Sequence, residues 1–318
     1  MQTLSQSNSW IGCSVGEHQR YRLDQLLAEG GMGQVFVAMD TLLGRQVALK
    51  LLKDTLVASA EARRRFKREF ELCAALESDH IVAVSDYGVT TEGYPFFVME
   101  YLRGQSLGQL LRQEQRLPLE RTINIITQVC DGLRLAHEGV TLWRDKAMVS
   151  GQIKVVHRDL KPDNIFLVPT AQEELVKVLD FGVAKIRETQ AEATNSTTMV
   201  LGTFHYAAPE QLEVNEDLDE RADIYSLGII VYEMLSGTDP FGLGFNINDV
   251  QISNGSWIQA HTSRLTVPLR SQQVTDLSHI PPELEAVVMR CLRKASDERF
   301  ASVDELKQAL QSAIYNTH

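Results

Sequence analysis

The spacing of apolar residues changes character once along this 318-residue chain, near Glu100–Gly104, and that switch limits the possible folds more than any other feature. Before it, the apolar runs have strand length: Tyr21–Leu26, Val35–Met39, Val47–Leu52, Ile81–Val84 and Phe96–Met99. One helical pattern interrupts them at about 60–76, with Phe66, Phe70 and Cys73 at helical spacing. From Ser106 onward the chain reads as mostly helical, with patterns at about 119–137, 222–235, 282–294 and 303–314. The last is well signalled, because Ser302 and Glu305 have capping-box spacing and Val303, Leu306, Leu310 and Ile314 form one apolar stripe. The reading is an α+β fold of two lobes, strand-rich over about 21–102 and helical over about 103–314. Residues 1–20 read as a polar, partly disordered extension and 315–318 as a tail.

Composition narrows the function classes. With 44% hydrophobic and 23% charged residues, the chain can bury a sizeable core. A net charge of −11 argues against nucleic-acid binding by bulk electrostatics, although a few backbone amides, one lysine and a metal suffice to hold phosphate locally. The polar start, Met1 to Ser9, lacks the basic and apolar regions that a signal peptide is expected to show, and no run reaches the roughly 18 apolar residues of a membrane span. The expectation is a cytoplasmic chain, or the cytoplasmic portion of a longer protein, with no membrane contact of its own. Cys13, Cys73, Cys130 and Cys291 form no CxxC pair and read as free thiols rather than a zinc site.

Several residues carry chemistry. Gly30-Gly31-Met32-Gly33 sits between two strand-length runs. It is either a hairpin turn or a loop whose bare backbone approaches phosphate oxygens. Lys50 ends an apolar strand, where a lysine lies at an exposed edge or meets an anion. Glu69 shares a helical face with Phe66 and Cys73, so it is either the partner of Lys50 or a solvated residue flanking the stripe.

The deciding stretch is His157-Arg158-Asp159-Leu160-Lys161-Pro162-Asp163-Asn164. Transfer of a γ-phosphoryl group needs a carboxylate to orient the attacking hydroxyl, a cation near the moving oxygens and hard ligands for a metal. Asp159, Lys161 and Asn164 supply these types in one turn, and Asp180-Phe181-Gly182 follows an apolar run. Asp and Asn often merely cap turns, but that reading leaves the whole ordered set to chance.

These motifs, over roughly Tyr21 to Leu310, resemble a eukaryotic-like (Hanks-type) serine/threonine protein kinase of the bacterial branch. The resemblance implies a bilobal fold, with a small antiparallel β lobe carrying one helix, a larger helical lobe, and ATP with magnesium or manganese in the cleft. It implies Asp159 as catalytic base, Lys161 as γ-phosphate contact, and Asn164 and Asp180 as metal ligands. By the same resemblance Lys50 and Glu69 hold the α- and β-phosphates beneath Ala28, Gly30, Gly31, Gly33 and Val35. Ala48, Met99, Glu100, Leu102 and Phe166 would surround the adenine. Thr203 would brace the catalytic residues, and Thr197, or else Thr198 or Ser196, would be an autophosphorylation site read by Arg158. Glu210 and Arg299 would form a structural ion pair, and Asp223 a buried anchor. Implied partners are protein substrates with Ser/Thr hydroxyls, and a homodimer for trans-autophosphorylation.

The chain departs from this pattern at three places. Ala28 replaces the first glycine of the phosphate loop, at little cost if its φ is negative. Ala295-Ser296 replaces a common Asp-Pro. Nineteen residues separate His137 from His157, an apparent insertion near 141–154 that is either a tolerated surface loop or a docking element. A nucleotide-binding scaffold without transferase activity, or a small-molecule phosphotransferase, is the competing reading. The complete set of charged residues weighs against the first, and Ala208-Pro209-Glu210 with Gly202-Thr203 against the second.

Overall fold

In a computed structural model the described residues are 10–30, 33–53, 57–141, 143–144, 147–148, 152–171, 173–181, 204–212, 218–243, 254–271 and 277–315. They divide into two compact units with a break at Arg103/Gly104, inside the sequence interval where the apolar period changes.

The smaller unit is built on one antiparallel sheet. Its elements are β1 (Ser14–Val15), β2 (Tyr21–Glu29), β3 (Gly33–Asp40), β4 (Arg45–Leu52), α1 (Ala60–Ala74), β5 (Val84–Val89) and β6 (Pro95–Glu100), and the strand order is β1-β2-β3-β4-β6-β5. Strand parity sorts the side chains of β4. Val47, Leu49 and Leu51 join a core with Tyr21, Leu23, Phe36, Ala38, Phe96 and Val98, which sends Ala48 and Lys50 to the opposite face. Helix α1 starts at a Ser59 cap whose side chain accepts the Ala62 N–H, and buries Phe66, Glu69, Leu72 and Cys73. Phe66 meets Phe97 with ring centroids 5.0 Å apart.

The expected lead-in over 1–20 is ordered where it is described. Trp10 packs edge-on to Tyr94 at 5.0 Å, Val15 is in the core, and Ser14 and Val15 pair with Arg22 and Tyr21. A two-residue strand with one apolar side chain is below what a periodic pattern can reveal. The run Ile81–Val84 also divides: β5 starts at Val84 in the smaller unit, while Ile81 itself belongs to the larger unit and bridges Val178 there.

The larger unit contains β7 (Gln105–Ser106), α2 (Leu107–Glu114), α3 (Leu119–Glu138), β8 (Trp143–Arg144), β9 (Ala147–Met148), β10 (Ile165–Pro169) and β11 (Glu174–Val178). Helices α4 (Pro209–Leu212), α5 (Arg221–Ser236), α6 (Asn254–Ser263), α7 (Pro282–Cys291) and α8 (Val303–Tyr315) follow. Helix α5 is buried at every position from Ala222 to Ser236, as expected for a helix surrounded by its own domain. The predicted helix at 282–294 ends early, at Cys291, and the carbonyls of Arg293 and Lys294 turn instead to the guanidinium of Arg299. Cys73, Cys130 and Cys291 are buried free thiols and Cys13 is exposed; burial pushes the Cys291 thiol up to about 12. Among the described residues in and beside the insertion, Val140 and Ile153 exchange both backbone hydrogen bonds, and β8 pairs antiparallel with β9. Among the described residues no helix is long and apolar enough to cross a membrane.

Candidate functional site

In the larger unit the candidate residues cluster on one irregular loop, and the loop is fixed from beneath by Asp223. This carboxylate, fully buried at the start of α5, accepts the N–H of His157 at 2.8 Å through Oδ2 and the N–H of Arg158 at 2.9 Å through Oδ1. His137, near the end of α3, donates its Nε2 proton to the same Oδ2 at 2.8 Å. Burial alone would raise this carboxyl, but the hydrogen bond from His137, with that from the His157 N–H, outweighs it and holds it below its ordinary value. In the sequence His137 stands out only as the residue from which the insertion before His157 is counted. Its signal was a histidine on a buried stretch of helix.

His157 is itself fully buried, and its ring bridges two backbone segments. Nε2 donates to the Leu179 carbonyl at 2.9 Å, and Nδ1 accepts the Asp159 N–H at 3.3 Å. One nitrogen donates and the other accepts, so the ring is neutral. Burial, opposed mainly by the charge of Asp223, pulls its pKa down in agreement. The ring lies 4.8 Å from that of Phe181, which ties the loop to the strand end carrying Asp180.

Above this base sit the charged groups. Asp159 Oδ2 accepts Lys161 Nζ at 3.1 Å and Asn164 Nδ2 at 3.4 Å, and Asn164 Nδ2 also donates to the Asp159 carbonyl at 2.8 Å. With its nitrogen so engaged, the Asn164 amide has its oxygen, the hard donor, to offer a cation. Leu179 N–H donates to the Asn164 carbonyl at 2.8 Å, next to Asp180. Arg158 and Asp180 have φ of +62° and +44°, left-handed conformations that cost side-chain-bearing residues energy and collect at working sites. No cluster of three His, Cys, Asp or Glu ligands occurs among the described residues. One carboxylate and one amide instead fit a divalent metal that takes its other ligands from phosphates and water.

The smaller unit settles the alternatives left open for Lys50 and Glu69. Lys50 Nζ lies 2.7 Å from Glu69 Oε1, with the residues 8% and 3% exposed, so neither is an edge residue. Gly30 N–H closes a turn on the Gly33 carbonyl at 2.9 Å. A side chain at Gly33 would stand 2.6 Å from the Leu51 carbonyl, so only glycine fits there. Ala28 lies in β2 opposite Val35 and is not among the positive-φ residues, so the alanine is free of backbone strain. Ala48 and Met99 are buried cross-strand partners. Glu100 donates its N–H to the Ala83 carbonyl at 2.9 Å, and Leu102 follows β6 in the same unit. Phe166 belongs to the larger unit, in β10 opposite Lys177.

Glu210 and Arg299 meet in the larger unit: the guanidinium holds both carboxylate oxygens at 2.6 and 2.8 Å. Gly31, Ser196, Thr197, Thr198 and Thr203 lie outside the described residues.

A family model described as "Protein kinase domain" matches residues 21–313, nearly the whole chain and both units. The chain belongs to the protein kinase family. Serine/threonine-protein kinase A of Synechocystis is 41% identical over 297 residues, 92% of this chain and 53% of that protein. Serine/threonine-protein kinase pkn3 of Myxococcus xanthus is 35% identical across 96% of this chain and 52% of its own length. The chain thus spans about half the length of these curated relatives. The crystal structure of the Mycobacterium tuberculosis PknI kinase domain is 26% identical, with a TM-score of 0.63 over 95% of this chain and 98% of that one. The bilobal protein kinase fold follows: an antiparallel sheet with one helix in the small lobe, helices dominating the other.

Proposed function

We propose that this chain is the catalytic domain of a serine/threonine protein kinase that moves the γ-phosphoryl group of ATP to Ser or Thr hydroxyls on proteins, its own activation segment included. The observation that carries the reading is Asp159, anchored through its neighbours to Asp223 and contacted by Lys161 and Asn164. In this scheme Asp159 orients the acceptor hydroxyl and takes its proton as oxygen attacks phosphorus and ADP leaves. Lys161 offsets charge on the moving phosphoryl oxygens. Asn164 and Asp180 would hold magnesium or manganese, which supplies positive charge to the phosphates. Lys50, oriented by Glu69, would grip the α- and β-phosphates beneath the Gly30–Gly33 turn. Ala48, Met99, Glu100, Leu102 and Phe166 would receive the adenine. Thr203 would brace the acceptor side, and phosphate on Thr197 or Thr198 would pair with Arg158. A cytoplasmic location and a transient homodimer for trans-autophosphorylation belong to the same reading.

Radiolabelled ATP, a basic acceptor protein, and the wild type beside Asp159→Asn test it. The wild type should transfer label to serine or threonine, and the variant should lose roughly two orders of magnitude or more. Nucleotide binding by both forms with transfer by neither would replace the kinase with a scaffold.

A further inference from the structure

Gln211, on α4 directly after Glu210, joins two backbone segments through one side chain. Its Nε2 donates to the Arg158 carbonyl at 2.8 Å, and its Oε1 accepts the Ala208 N–H at 2.9 Å. Both ends of the amide are engaged, so its orientation is fixed: exchanging nitrogen and oxygen would set donor against donor and acceptor against acceptor. Helix α4 is itself held still, because Glu210 is clamped by Arg299.

Arg158 is where the left-handed backbone occurs, one residue before Asp159. Such a conformation persists when the surroundings over-determine it. Asp223 holds the N–H of Arg158, and Gln211 holds its carbonyl. That carbonyl and the Asp159 N–H belong to one planar peptide group. A donor fixed on the oxygen therefore sets the plane from which the Asp159 side chain departs. From the other side, the Asp159 N–H is received by the His157 carbonyl at 2.8 Å and His157 Nδ1 at 3.3 Å.

The geometry points to Gln211 as a positioning residue for phosphoryl transfer: through the Arg158–Asp159 peptide, it aims the Asp159 carboxylate at the acceptor hydroxyl. The inference rests on the role proposed above for Asp159. It also gives α4 a second task beside its ion pair, since the same short helix then also positions the base.

The test compares wild type, Gln211→Glu, Gln211→Met and Asp159→Asn for kcat, KM for ATP, melting temperature and pH profile. Gln211→Glu keeps the shape, but once ionised it faces the Arg158 carbonyl with an oxygen that cannot donate. At pH 8 its kcat should fall roughly tenfold or more, the scale set by small misplacements of a reacting group, with KM for ATP nearly unchanged. Lowering the pH toward about 5.5 should restore its activity relative to wild type, because a carboxyl facing a carbonyl protonates above its ordinary range and regains the donor. Gln211→Met should lose a similar factor and show no such recovery. Wild-type kcat in Gln211→Glu at pH 8 would overturn the inference. So would parallel loss in both Gln211 variants that follows melting temperature and ignores pH. A wild type that transfers no phosphate removes the kinase reading and this one with it, whereas an active wild type, an inactive Asp159→Asn and unaltered Gln211 variants defeat this inference alone.

Discussion

Lys50 meets Glu69 in the smaller unit and Arg299 meets Glu210 in the larger, each pair almost wholly out of water. In the first, a rotatable ammonium contacts Glu69 Oε1 at 2.7 Å, with the Phe97 ring 5.5 Å away. In the second, a rigid guanidinium grips both oxygens of Glu210, and its remaining donors go to the carbonyls of Arg293, Arg221 and Lys294 at 2.8–2.9 Å. All five Arg299 N–H groups thus have an acceptor, a condition under which a buried charge is tolerated. A lysine is a point charge on a flexible stem and can share itself with an arriving phosphate, whereas a satisfied fork has nowhere else to turn. The comparison separates a pair suited to meet a ligand from a pair that holds the chain together.

The largest expected effect breaks the second pair. Arg299→Leu strands Glu210 and three carbonyls in the interior and should cost about 3–5 kcal/mol in denaturant unfolding. Arg299→Lys keeps the charge but not the fork, and should lose about half as much. A loss below about 1 kcal/mol for the leucine variant would show that the fork is ornamental.

Lys50→Met should divide the other way. Phosphoryl transfer should fall by roughly 10²–10³, the scale for removing one fixed donor from a transition state. Stability should fall less than in Arg299→Leu, because Glu69 beside an apolar side chain can take up a proton. Activity assays paired with unfolding midpoints measure both. Transfer at the wild-type rate would mean the lysine, too, is only structural.

How much of this was legible depends on how far apart the partners stand in sequence. Asp159, Lys161 and Asn164 lie within one turn, so their residue types carried the chemistry by themselves. The change of period near Glu100–Gly104 brackets the break at Arg103/Gly104, whereas the return of Ser78–Ile81 to the larger unit leaves no periodic mark. Lys50 and Glu69 are 19 residues apart, and the sequence left their pairing open because strand parity and helix rotation must both be right. Gln211 and Arg158 are 53 apart and meet through a backbone carbonyl, which no residue type announces. Val15 entered the core from a strand too short to show a period.

A smaller effect comes from a buried base in the same neighbourhood as Arg299. His261 is fully buried, its Nδ1 lies 3.0 Å from the Tyr225 hydroxyl, and its ring stacks on Trp257. Burial, then the charges of Lys294 and His205, lower its pKa to about 3. The unfolded chain binds this proton near pH 6.5 and the folded chain does not. Its contribution to stability is therefore complete above about pH 6.5 and declines as the pH falls toward 3. His261→Phe should flatten the dependence of the urea midpoint between about pH 4 and pH 6.5, by at most about 1.4 kcal/mol per pH unit. An unchanged slope would mean that the ring titrates normally in the fold.

The smallest effect sharpens the contrast by its position, three residues after Arg299. Ser302 Oγ accepts the Glu305 N–H at 3.2 Å, as the sequence predicts, while the Glu305 carboxylate reaches past Ser302 to the Ala301 N–H at 2.9 Å. The cap is local and was the best-signalled helix start in the chain, yet it satisfies one exposed donor that water would otherwise meet. Ser302→Ala should cost about 1 kcal/mol in the same unfolding experiment. A loss equal to that of Arg299→Leu would mean that this segment unfolds as a unit whichever contact is cut, and the distinction between local caps and the long-range fork would have to be drawn by double-mutant cycle instead.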